Sequence, residues 1–139
     1  MKPVRRFFYN RLEGGKSGHS SLFEKSSPVD SKKVEIETLT LDEYITDNAP
    51  PTVIIIDVEG GESKVLEGGK NFFNNYSPTV ILEIWLGEKG RKYHAEAIKF
   101  LTDLGYKSFK LDKLGELELV DHIDFDNMGG FENFVFQKG

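Results

Sequence analysis

The sequence predicts an α/β fold: a mostly parallel sheet with helices on both faces and an antiparallel hairpin near the C-terminus. Three observations lead there. Val53–Ile56 is an unbroken β-branched run, which suits a strand covered on both faces in the middle of a sheet. At Asp57 the run turns polar, bends at Gly60-Gly61 and passes into apolar residues at helical spacing: Val65, Leu66, Phe72, Phe73 and Tyr76. Strands and helices then alternate before a final antiparallel pairing. The 139 residues show no internal repeat and can bury one core, so a single domain over residues 1–139 is expected.

Residues 1–33 form a basic, loop-rich arm with eight Lys/Arg against three Asp/Glu; residues 34–139 carry ten against twenty. A basic arm can meet an anionic surface, but the body is too acidic for a nucleic-acid binder, and a solvated arm is expected. No apolar run is long enough to span a membrane, and MKPVRRFFYN lacks the apolar segment of a signal peptide. Cysteine is absent, which excludes disulfides and thiolate chemistry. The cytoplasm is the default location.

Taken in order, Phe7-Phe8-Tyr9 reads as a short strand and residues 10–27, rich in Gly, Ser and charge, as a long loop. Val34, Ile36 and Leu39 alternate with polar residues, as in a half-exposed strand. Thr40-Leu41-Asp42-Glu43 has capping-box spacing and opens a short helix that stops before Pro50-Pro51. The helix over residues 62–76 contains Gly68-Gly69, at about 1 kcal/mol each relative to alanine, so it either lies close against the sheet or breaks there. Residues 79–86, TVILEIWL, form a second buried strand interrupted by Glu83. Residues 91–104 form a helix with Tyr93, Ala97, Phe100, Leu101 and Leu104 on one face and Gly105 as its cap. Residues 106–111 and 116–120 make a hairpin around 112–115, residues 121–130 an acidic loop, and Phe134 to Phe136 a closing strand.

Ligands of open α/β sheets collect where strands end and helices begin, and Asp57, Glu59 and Glu62 sit at such a place. The three carboxylates could hold a metal, act as a base, or bind a cofactor or substrate hydroxyl. A rival structural reading has Glu62 stabilising the first helical turn and Glu59 capping amides; Asp57, at the end of a buried strand, is an expensive place for an idle charge. Glu83, inside an apolar strand, must be paired, protonated or facing a cleft at the same sheet edge. Trp85 is core or cleft wall. His19, after a glycine and before Ser20-Ser21, is assigned only loosely to that cleft; His94 is expected on a helix surface and His122 in a solvated loop, and the three share no metal-ligand spacing. Gly14-Gly15-Lys16-Ser17 invites a phosphate-loop reading, but Asn10 stands where that loop needs its first glycine.

Three segments resemble the signature of FkbM-type methyltransferases: Thr38-Leu39-Thr40-Leu41-Asp42-Glu43-Tyr44, Ile55-Ile56-Asp57-Val58-Glu59-Gly60-Gly61-Glu62, and Val65-Leu66-Glu67-Gly68, with Gly61 in place of the usual alanine. Pro78 with Ile81-Leu82-Glu83-Ile84, then Gly105-Tyr106 and Glu132-Asn133-Phe134, resemble the family's later strands, and residues 18–22 its serine-rich loop. The resemblance implies a Rossmann-like fold, S-adenosylmethionine as methyl donor, and methylation of a hydroxyl on a small molecule or glycan. By the same resemblance Asp57, Glu59 and Glu83 are the catalytic candidates, Asp57 and Glu62 touch the cofactor, and Glu59, Trp85 and His19 touch the acceptor. The family's glycine-rich strand–turn is not found in this sequence, so the chain resembles the C-terminal portion of the domain: a partial sheet, expected to be inactive alone and to pair through an open edge as a homodimer or with a complementing N-terminal half. Two other readings are a non-catalytic α/β remnant or binding module, and a metal-binding carboxylate site.

Overall fold

The computed structural model describes residues 4–9, 32–46, 48–126 and 130–139. Strands β1 (Val4–Tyr9) and β2 (Lys32–Glu37) pair antiparallel as a two-stranded sheet of their own. Helix α1 (Leu41–Thr46) follows, then β3 (Val53–Ile56), α2 (Glu62–Glu67), α3 (Lys70–Tyr76), β4 (Thr79–Trp85), the long α4 (Gly87–Asp103), β5 (Lys107–Leu111), β6 (Leu117–Val120) and β7 (Phe131–Gln137). The main sheet has the order β3-β4-β7-β5-β6.

The expectation of a mostly parallel sheet is corrected to a mixed one. Only β3 and β4 form a parallel ladder; β4–β7, β7–β5 and β5–β6 are antiparallel. Because β7 runs against both its neighbours, β3, β4 and β5 still point the same way. The final strand enters between β4 and β5 rather than adding to the edge, which converts one parallel contact into two antiparallel ones.

Helices on both faces are corrected as well. Strand side chains alternate, and Ile54 and Ile56, Val80, Leu82 and Ile84, and Phe134 and Phe136 share one face. Leu66 of α2, Phe72 and Phe73 of α3, and Ala97 and Leu101 of α4 join them in one core, with Leu41 and Ile45 of α1 at its margin. The reason is chirality. The crossovers β3→β4 and β4→β5 step in the same direction across the sheet, and right-handed crossovers moving one way put their helices on one side. The opposite face leaves Val53 and Ile55 of β3 exposed, Ile55 at 73%. The β-branched run is therefore an edge strand with one covered face, not a central strand.

The break at Gly68-Gly69 separates α2 from α3, and it is steric in origin. A Cβ on Gly69 would stand 2.7 Å from Leu41 Cδ2, and one on Gly68 would stand 3.4 Å from Thr40. Thr40 and Glu43 make the expected capping box: the Glu43 amide donates to Thr40 Oγ1 (3.2 Å) and the Thr40 amide to Glu43 Oε2 (2.7 Å). Asp42, beside them, accepts from the amides of Phe72 (2.9 Å) and Asn71 (3.2 Å), so it caps α3 from a distant part of the chain. The β5–β6 hairpin closes on Asp112, whose Oδ1 accepts from the amides of Leu114 and Glu116, both at 2.8 Å. The acidic loop is only partly solvated: Ile123 and Phe125 are buried, and the Gly87 amide donates to the Phe125 carbonyl (2.7 Å).

Candidate functional site

In the β3–β4 ladder Ile56 pairs with Leu82, so Asp57, just past β3, and Glu83, still within β4, follow abreast where the parallel ladder ends. By alternation both belong to the face away from the helices. Asp57 is exposed and Glu83 half-buried. Beyond Asp57 the backbone turns through Glu59 (φ +53°) and Gly60 (φ +93°), both left-handed. Gly60 also lies on the Tyr93 ring, where a Cβ would stand 3.0 Å from Cδ1, so glycine is required twice over. Glu59, half-buried, holds a left-handed conformation unusual for its side chain, which marks the loop as fixed by its surroundings.

Those surroundings are Glu62 and α4. Glu62 is 1% exposed and turned inward. Its Oε1 accepts from the amides of Val58 (3.2 Å) and Gly60 (3.3 Å), and its Oε2 stands 3.3 Å from His94 Nδ1, within ion-pair reach. Burial works to raise the Glu62 carboxyl, but bonding to His94 and to backbone amides, with the His94 charge, outweighs it and leaves the group below its ordinary value. The expectation that Glu62 lines the cleft beside Asp57 is thus corrected: it supports the loop from beneath.

Glu83 moves the other way. Burial is the largest cause of its raised carboxyl, followed by the nearby charges of Asp57 and Glu59; the Trp85 indole N–H, donating to it, offsets part of the rise. Trp85 is half-buried, edge-to-face with Tyr93 (centroids 5.7 Å) and His94 (5.2 Å), and the Lys89 ammonium lies 4.1 Å from its ring centroid. Across β7, Asn133 stands opposite Glu83, and Phe131, largely exposed, opposite Trp85. The structure therefore brings together Asp57, Glu59, Glu83 and Trp85 as an acidic rim beside an aromatic wall. His19 and the Gly14–Ser17 tract lie outside the described residues.

His94 is the residue that the sequence reading misplaced. It is buried at 1% exposure, not on the helix surface. The signal was present: Gly90, His94, Ala97 and Leu101 fall at helical spacing, and all four are buried. Gly90 marks the same stripe, since a Cβ there would overlap the Trp85 carbonyl oxygen at 1.5 Å. Among the described residues no group of three His, Cys, Asp or Glu is arranged to hold a metal ion. No helix among them is long and apolar enough to cross a membrane.

Adjacent parallel strands that bring acids abreast, beside an aromatic wall, define a mixed α/β domain of the methyltransferase-like kind. The model of the methyltransferase FkbM domain matches residues 4–108. The chain belongs to that methyltransferase family. The match takes in β3, the loop of residues 57–61 and β4 and ends in β5, ahead of β6 and β7. No curated protein and no solved structure matches the chain significantly.

Proposed function

We propose that the chain is the C-terminal portion of an S-adenosylmethionine-dependent O-methyltransferase acting on a hydroxyl of a small molecule or glycan. The observation that carries this reading is Asp57 and Glu83 side by side at the ends of two parallel strands, with the Glu83 carboxyl raised by burial and by its acidic neighbours. The residues present fit the methyl donor in charge: carboxylates that repel one another are relieved by a sulfonium and an ammonium, and they accept from ribose hydroxyls. When bound, S-adenosylmethionine supplies an electrophilic methyl group. Asp57 holds the polar groups of the cofactor. Glu83, whose carboxyl is raised by burial and by its acidic neighbours, accepts the proton of the acceptor hydroxyl. Glu59 and Trp85 orient the acceptor, and Glu62 keeps the loop in place.

The rim supplies one wall of a cleft. In open α/β sheets the binding crevice forms where successive crossovers run in opposite directions, and both crossovers here run the same way. Among the described residues β3 has one unpaired edge, and a strand with the opposite crossover added there would complete the crevice. We therefore infer that the competent form has this edge paired, in a homodimer or with a complementing N-terminal half. Titration calorimetry with S-adenosylmethionine, below and above the concentration at which the chain self-associates, tests this. Binding confined to the associated form, and abolished by Asp57→Asn, supports it; an associated chain that binds no cofactor overturns it. The exposed Ile55 on that edge favours a second reading, a non-catalytic module that pairs with another sheet, and the latter outcome would favour it.

A further inference from the structure

We propose that His94 is a positioning residue for this site: it faces Glu62 with one ring nitrogen and packs its ring on Trp85, so it ties the loop of residues 57–61 to the end of β4. The proposal rests on reading that rim as the reactive site, but the contacts that carry it are independent of the chemistry. Glu62 and His94 are each 1% exposed, with Nδ1 and Oε2 3.3 Å apart. The other oxygen of Glu62 accepts from the Val58 and Gly60 amides, on either side of Glu59. On its second side the His94 ring stands perpendicular to Trp85 at 5.2 Å, and Trp85 donates to Glu83. One imidazole thus touches both supports of the rim: Glu62 under Asp57 and Glu59, and Trp85 beside Glu83. The preceding residue, Tyr93, bears on Gly60 and Trp85 in the same way.

Packing alone does not account for a histidine here. A phenyl ring fills similar volume without burying two nitrogens, and neither His94 nitrogen nor Glu62 Oε2 has a hydrogen-bond partner among the described residues. Nδ1 nonetheless stands within ion-pair reach of Glu62, and a carboxylate only accepts, so a hydrogen shared between them belongs to Nδ1.

Nuclear magnetic resonance of the full chain tests this. In the wild type, the imidazole nitrogen shifts should show a proton on Nδ1, and the Val58 and Gly60 amide protons should lie downfield. His94→Phe should move those amide signals upfield and speed their hydrogen exchange by roughly tenfold, the effect of weakening a bond to a charged acceptor. His94→Asn, whose amide nitrogen takes the place of Nδ1, should restore them. An Nδ1 without a proton in the wild type, loop amides indifferent to His94→Phe, or no rescue by His94→Asn would each overturn the proposal. Should His94→Phe fail to fold, the wild-type Nδ1 signal and the asparagine variant still decide. A chain that passes these tests and transfers no methyl group would fault the functional reading and leave the positioning role standing.

Discussion

Glu62 and Glu83 lie on the same small loop-and-strand unit, and their surroundings push them in opposite directions. Glu62 is held below its ordinary value of 4.5, so the stability it contributes is present above that pH and is lost as pH falls through its lowered value. Glu83 is raised above 4.5, so its destabilising charge is absent at low pH and develops as pH rises through the raised value. Glu62→Ala should therefore cost about 3 kcal/mol at pH 7, by urea denaturation, because two amides and His94 lose their partner, and the cost should shrink in acid. Glu83→Gln should instead raise Tm at pH 7 by about 2 °C, since it removes like-charge repulsion and keeps an acceptor for Trp85. A drop in Tm would show that the carboxylate is stabilising where it stands. The sequence made the cluster legible, because Asp57, Glu59 and Glu62 follow one strand end and are visible as such. It could not separate the rim from its support. That division depends on His94 of α4, distant in sequence, meeting Glu62 across a helix interface.

At the scale of elements, the threonine-leucine-aspartate segment and the glycine pair read as two motifs and turn out to be one joint. Leu41 occupies the space that Gly69 leaves, and Asp42 caps the helix that begins after it. Asp42→Ala should cost about 1 kcal/mol, the usual worth of an N-cap, measured by thermal unfolding. Gly90→Ala should be far worse, at least about 3 kcal/mol, since the new methyl meets backbone and not a side chain that can turn away. A soluble Gly90→Ala chain with unchanged Tm would mean that α4 can move off β4. The capping box, the hairpin on Asp112 and the start of the acidic loop were readable because each is decided within a few residues. The α2–α3 break was left open by sequence, because two glycines say that something comes close without saying what.

For the whole molecule, strand content was legible and strand neighbourhood was not. Four consecutive β-branched residues signal burial, but which side of a sheet is covered is set by the direction of its crossovers. The free β3 edge, with Ile55 exposed, predicts concentration-dependent association in analytical ultracentrifugation, and Ile55→Lys should shift the chain towards monomer. A wild type that sediments as a monomer at high concentration would count against pairing through that edge. The position of β7 also bears on how the domain is assembled. β4 and β5 are separated by the width of a strand that follows both in sequence, so local closure cannot zip them together; each waits with a bare inner border for a segment that must travel back across the core. Pairings of such long range are slow to nucleate, and refolding should be slow and increasingly lossy as the protein is concentrated, with dilution restoring the yield.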